Sequence, residues 1–347
     1  MAVPLCAYFG KCQGCSLQQV EYALQLENKR KRLVKMINFD DVKVFSDTPY
    51  YYRNRLELFW SKNALCLRGK GGLIPIEQCV IVEEKINVLI TKINAFFAGC
   101  EDFHGVVIRS SSKASSISFA CSTASEEFIE KVKLFNTTAD TVLVTITDDF
   151  YGADYIVIKG DDFLEEDILG KKFIFPIQGF FQNNTKMMQK MQSHVHSLLR
   201  KYPTIGGELL DLYAGVGTFG MVNAALFKNI TLVENFKPAI EAAEKNLRLN
   251  TIKHGRALVL SGGQTGRVWF TSPLYVITDP PRIGMEQKAI IELNRLKPEV
   301  IIYVSCNVEQ LQKDILKFKQ YKVKSATLFD LFPQTKHSEA VVELVRV

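Results

Sequence analysis

The chain is predicted to be α/β, with a doubly wound parallel sheet in its C-terminal half and an α+β region ahead of it. Three observations predict this. From about residue 208, apolar runs ending in Gly, Asp or Glu alternate with helical patterns, as in a sheet wound on both faces. Between about 42 and 175, short β-like runs separated by turns are broken by helical patterns around 83–97 and 125–135. The residue types suited to chemistry fall at the predicted ends of the C-terminal strands.

A length of 347 residues, 47% hydrophobic and 23% charged, is that of a globular protein able to bury two or three cores without disulfides. No run approaches eighteen apolar residues, and no basic stretch followed by an apolar run opens the chain. A cytoplasmic protein with no membrane partner, and a monomer, is expected. The excess of 43 Lys+Arg over 37 Asp+Glu permits a polyanionic partner, and Lys29-Arg30-Lys31-Arg32 with Lys35 on a predicted helix suggests a cationic face.

The first element is a turn-rich segment carrying Cys6, Cys12 and Cys15, a C-x5-C-x2-C pattern that needs a fourth ligand. Cys79, after a Gly/Pro bend, is the candidate. Four thiolates suit tetrahedral zinc or a cubane iron–sulfur cluster; the spacing is unlike the paired knuckles of zinc ribbons and favours iron–sulfur. Cys66, Cys100 and Cys121 stand alone in apolar or mixed surroundings and read as structural. Ser16 to Phe39 reads as one long helix with Ser16 as N-cap. Tyr50-Tyr51-Tyr52-Arg53-Asn54-Arg55 interleaves rings and cations, suited to stacking bases and pairing phosphates, or simply to a strand start.

Phe173–Asn184 is an apolar run ending in amides. Gln182 and Asn184 could read a nucleobase or cofactor edge, or Asn184 could cap the helix predicted from Thr185. Next, Glu208–Tyr213 is a strand and Ala214–Gly220 a glycine loop. Its literal G-x-G-x-x-G also fits a dinucleotide site. Asp211 at the strand end could accept from an ammonium group, and Glu234, ending the next strand, could take both ribose hydroxyls of an adenosine moiety. D-x-x-x-G-x-G with a strand-end Glu favours S-adenosylmethionine over NAD. Tyr275–Arg282 closes a further strand, where two prolines stiffen the turn and fix Asp279 at the sheet edge. Cys306 follows the buried run Val300–Val304 and precedes a helix, which makes it the candidate nucleophile. Glu339 opens the last strand, predicted from Ala340 to Val347.

Six motifs occur in order along nearly the whole chain: the cysteines at 6, 12, 15 and 79, Phe-x-Gln-x-Asn at 180–184, Asp-Leu-Tyr-Ala-Gly-Val-Gly-Thr-Phe-Gly at 211–220, Asp-Pro-Pro-Arg at 279–282, Ser-Cys-Asn at 305–307 and His-x-Glu at 337–339. Together they resemble the iron–sulfur-containing, S-adenosylmethionine-dependent RNA (uracil-5-)-methyltransferases. The resemblance implies a class I, Rossmann-like methyltransferase domain (18–49 and 180–347) and an α+β central RNA-binding domain carrying a four-cysteine 4Fe-4S cluster (1–17 and 50–179). It implies Cys306 as nucleophile and Glu339 as general base. Asp279, Gln182 and Phe180 would hold the substrate base. Gln182, Asp211, Tyr213, Gly215, Gly217, Glu234 and Asp279 would hold S-adenosylmethionine, and Cys6, Cys12, Cys15 and Cys79 the cluster.

Many members of that family begin with a small RNA-binding barrel, and this sequence opens at the cysteines. On that ground 23S rRNA is the expected substrate, with tRNA the alternative. Ser261–Gly266 stands where relatives offer an acidic group near adenine, so the adenine contacts are open. A cytosine-5 methyltransferase would need a cysteine after Asp-Pro-Pro, where Arg282 stands. A catalytically silent RNA-binding protein of the same fold is opposed by Cys306 and Glu339 occurring together.

Overall fold

The computed structural model describes residues 2–271 and 273–347. Among these residues two large sheets dominate. The C-terminal sheet has eight strands, in the order Val42–Phe45, Tyr321–Phe329, Glu339–Arg346, Val300–Ser305, Leu274–Thr278, Glu208–Leu212, Asn229–Glu234 and Gly255–Val259. Glu339–Arg346 runs antiparallel to both its neighbours, and the other pairings are parallel. Its central strands, Glu208–Leu212, Leu274–Thr278 and Val300–Ser305, are buried at every residue. Helices on both faces cover them, which is why their sequences are continuous apolar runs and not alternating ones.

After the edge strand Val42–Phe45, the chain returns to this sheet at Glu208–Leu212, adds two strands on one side, then crosses back to Leu274–Thr278 on the other. The order therefore reverses between those two strands, and a crevice at their carboxyl ends is where such sheets hold ligands. Asp211 and Asp279 flank that reversal.

The second sheet has seven strands, Gly72–Pro75, Ala64–Gly69, Arg55–Ser61, Gly105–Ser110, Ser115–Cys121, Thr141–Ile146 and Tyr155–Lys159. It is antiparallel except where helix Glu126–Leu134 carries the chain across to a parallel neighbour. A phenylalanine cluster fills its core; Phe97, for example, packs edge-on to Phe103 and Phe135 at 5.5 and 5.2 Å. The hairpin Phe163–Ile168/Lys171–Pro176 follows.

The first helix departs from expectation. It spans Tyr22–Ile37, not Ser16–Phe39; the preceding residues are tied to the C-terminal segment instead, the amides of Ser16 and Leu17 donating to Gln334 O (2.9 and 3.0 Å). Its buried face carries Gln25 and Lys29 beside Leu33, and these two polar side chains bond Gln334 and Asp330 where the sequence predicts an apolar stripe. The predicted cationic face is largely neutralised: Lys29 is buried against Asp330 at 2.6 Å, Arg30 and Lys31 pair with Glu27, and Arg32 pairs with Glu309. Lys35 stays exposed.

Tyr50–Arg55 is also mostly absorbed by the fold. Tyr52 is buried and its hydroxyl donates to Pro333 O at 3.1 Å, while Arg55 Nε donates to Tyr151 at 2.8 Å. Tyr51 is the ring of this stretch left exposed.

Candidate functional site

The strand pairings assemble the chemistry. Ser305 pairs with Ala340, so one step further the antiparallel register sets Cys306 beside Glu339. On the other side Leu212 pairs with Thr278, and Asp279 N donates to Leu212 O at 3.2 Å, which seats Asp279 at the same edge. Cys306 and Glu339 each feel the charge of Asp279, and Cys306 that of Glu339 as well. Burial, then Glu339, then Asp279 push the Cys306 thiol up to about 12, with Arg282 opposing. Burial and the Asp279 charge raise Glu339 well above the ordinary carboxylate range, again opposed by Arg282. Burial raises Asp279 as well.

Arg282 is the residue sequence reasoning left without a role. Its Nη2 lies 2.8 Å from His337 Nδ1, joining the Asp-Pro-Pro-Arg turn to the segment that precedes Glu339. Asn307 completes the turn, capping helix Val308–Ile315 at Gln310 N (3.3 Å) and donating through Nδ2 to Arg282 O at 2.9 Å.

Around the glycine loop, Asp211 is buried. Its Oδ2 accepts from Gly220 N at 2.7 Å, and its Oδ1 has no partner. Desolvation pushes its carboxyl up to about 8. Gly217 adopts φ +88°, and a Cβ there would meet Met221 and Leu232 at 2.6 and 2.8 Å, so a side chain is excluded on both grounds. A Cβ on Gly215 would meet nothing within 4 Å, leaving open space over the loop. Glu234 accepts from Gly215 N (3.2 Å) and from the amides of Asn235 and Phe236. Tyr213, at φ +62°, accepts from Glu286 N at 3.2 Å through its hydroxyl. Ser261–Gly266 forms no open loop. It winds into the short helix Gly262–Arg267, whose capping box uses the side chains of Ser261 and Gln264.

The 180–184 segment lies between the two sheets' attachments. Asn54 Nδ2 donates to Gln182 O at 3.0 Å, and Asn184 caps helix Thr185–Leu199 at Met187 N while its Nδ2 donates to Leu331 O at 3.2 Å. Asn184 is thus structural. Phe181 stacks on Phe175 at 4.0 Å, whereas Phe180 is 67% exposed.

Cys6, Cys12, Cys15 and Cys79 line one cavity of about 220 Å³ together with Tyr8 and Arg53. The loop is held to the second sheet by Gln13 N to Arg68 O at 3.2 Å, and Cys79 by reciprocal bonds with Asn87 at 2.8 and 3.2 Å. Burial pushes the Cys79 thiol up to about 12, with charge on Cys15, Cys6 and Cys12 adding to it. Among the described residues no three His, Cys, Asp or Glu side chains converge as a site for a single metal ion.

The sheet order and the strand-end groups define a mixed α/β methyltransferase fold, and the known protein most usefully compared with it has that fold. The crystal structure of Pyrococcus abyssi tRNA (uracil-54, C5)-methyltransferase in complex with S-adenosyl-L-homocysteine superposes with a TM-score of 0.82 at 26% identity, covering 97% of this chain and 86% of that one. In sequence, the P. abyssi tRNA (uracil(54)-C(5))-methyltransferase is 30% identical over 365 residues, 99% of this chain and 86% of that protein. Its Pyrococcus horikoshii namesake is 29% identical over 98% of this chain and 85% of its own. The family model described as tRNA (uracil-5-)-methyltransferase matches residues 21–265 and 271–347. The chain belongs to that family and is an RNA (uracil-C5) methyltransferase. Among the described residues no helix is long and apolar enough to cross a membrane.

Proposed function

We propose that this enzyme transfers a methyl group from S-adenosylmethionine to carbon 5 of a uridine in tRNA. The expectation of 23S rRNA gives way here, because the P. abyssi and P. horikoshii relatives are both named for uracil 54 of tRNA. The observation that carries the chemistry is the meeting of Cys306, Glu339 and Asp279 at one sheet edge, beside the strand-order reversal. The unpartnered Oδ1 of Asp211 and the open space over Gly215 fit the ammonium end of S-adenosylmethionine.

Carbon 5 of uracil is too weak a nucleophile to be methylated unaided. Cys306 Sγ adds to carbon 6, its proton passing to Asp279, and the electron pair of the double bond moves onto carbon 5 and its carbonyl. Asp279 and Gln182 hold the pyrimidine edge, so charge develops against fixed groups. S-adenosylmethionine, when bound, supplies the methyl group that carbon 5 takes up. Glu339, made a stronger base by burial and the nearby Asp279 charge, then accepts the carbon 5 proton in its carboxylate form, which Arg282 favours. The electron pair released re-forms the double bond and expels Sγ. The exposed Phe180 is placed to pack on a base drawn out of its stack.

The four cysteines would hold a 4Fe-4S cluster. Their shared cavity of about 220 Å³ is several times the ~30 Å³ share of one water, so it has room for a polyatomic group. The division of the chain at residues 17, 49 and 179 into a cluster-bearing central domain and a methyltransferase domain goes with this reading.

Methyl transfer from labelled S-adenosylmethionine onto unmodified tRNA and unmodified 23S rRNA, with nucleoside analysis, tests the substrate. 5-Methyluridine is expected in tRNA alone; its appearance only in 23S rRNA overturns the tRNA assignment. Anaerobically purified protein is expected to contain iron and acid-labile sulfide, and protein lacking both would contradict the cluster.

A further inference from the structure

We propose that Gln25 and Gln334 form a positioning clasp that fixes the segment Leu331–Ser338, and through it Glu339. This rests on the role given to Glu339 above. Gln334 is 2% exposed and holds φ +67°, a left-handed conformation that a glutamine adopts only when its surroundings impose it. Gln25 is the imposing group. Its Nε2 donates to Gln334 Oε1 at 3.0 Å, and its Oε1 accepts from Gln334 N at 3.2 Å, a reciprocal amide pair across 309 residues. The remaining Nε2 capacity of Gln25 goes to Leu17 O and Val20 O at 2.9 and 2.8 Å.

Gln334 O in turn takes the amides of Ser16 and Leu17, the two residues immediately after Cys15. One buried residue therefore ties together the end of the cysteine segment, the first helix and the segment leading to Glu339. From Gln334 the chain reaches His337, which meets Arg282, and then Glu339 within five residues. A displaced Gln334 would move His337 and Glu339 together against a fixed Cys306, and a misplacement of about 1 Å can cost roughly a hundred-fold in rate.

Two variants probe this with opposite effects on backbone strain. Gln25→Leu removes the clasp and leaves the φ at Gln334 strained. Gln334→Gly removes the side chain and makes the same φ easy, so the fold is retained. Both are expected to lower kcat roughly ten- to a hundred-fold, with KM for RNA and affinity for S-adenosylhomocysteine kept. Both should leave a protein–RNA adduct on a denaturing gel, as is expected of Glu339→Gln, in which the carbon 5 proton cannot leave and Sγ is not expelled, and should speed hydrogen exchange at 331–338 selectively. Wild-type kcat and wild-type exchange in both variants would overturn the clasp. So would a lowered Tm with undiminished kcat at a temperature where the protein is folded. If Glu339→Gln itself gives no adduct, the base assignment falls, and the clasp stands or falls on kcat and exchange alone.

Discussion

Asp211 shows how a single carboxylate reports on a site. One oxygen is spent on Gly220 N, the other is buried without a partner, and desolvation lifts its carboxyl to about 8. At pH 7 the ligand-free protein therefore carries it mostly protonated. An ammonium group brought against Oδ1 favours the ionised form and lowers that value, so binding S-adenosylhomocysteine between about pH 5 and 8 should release a proton. Calorimetry in buffers of different protonation enthalpy measures this; release is expected in the wild type and absent in Asp211→Asn, and equal release in both would clear Asp211 of the role. Asp211, Asp279, Cys306 and Glu339 were legible because each sits at a strand end, and strand ends can be read from apolar runs. The Arg282–His337 pair was not, since its members are 55 residues apart and meet only in the folded chain.

At the level of elements, the first helix is where periodicity misled. Its basic run looked like a solvated or RNA-facing surface, yet Lys29 is buried and its Nζ bonds Asp330 at 2.6 Å and Phe332 O at 3.1 Å. Tyr22 donates to the other Asp330 oxygen at 2.8 Å. A helix's spacing shows which residues share a face, but not the group some 300 residues away that will meet it. Removing one member of a buried pair strands the other charge, so Asp330→Ala should cost about 3–5 kcal/mol. The double variant Lys29→Met/Asp330→Leu, which strands no charge, should lie closer to the wild type. Urea unfolding compares them, and a double variant less stable than the single would show that the pair contributes more than its burial costs.

For the molecule as a whole, the alternation of strands and helices after residue 208 is plain in the sequence, and so is the change of rhythm before it. The position of Val42–Phe45 is not. This short strand lies at the edge of the C-terminal sheet, paired in parallel with Tyr321–Phe329, although the chain between them builds the whole second sheet. Which RNA presents the base is not legible in the sequence either, because the strand-end groups face the base and not the RNA that carries it. The cysteine segment, the first helix and the segment before Glu339 meet at Gln334.

The claim on which the rest depends is that Cys306 is the nucleophile. Cys306→Ala, assayed under single-turnover conditions with excess enzyme over unmodified tRNA, is the measurement that tests it most directly. No 5-methyluridine should form, while S-adenosylhomocysteine binds as it does to the wild type. 5-Methyluridine formed by this variant at the wild-type rate would contradict the covalent mechanism.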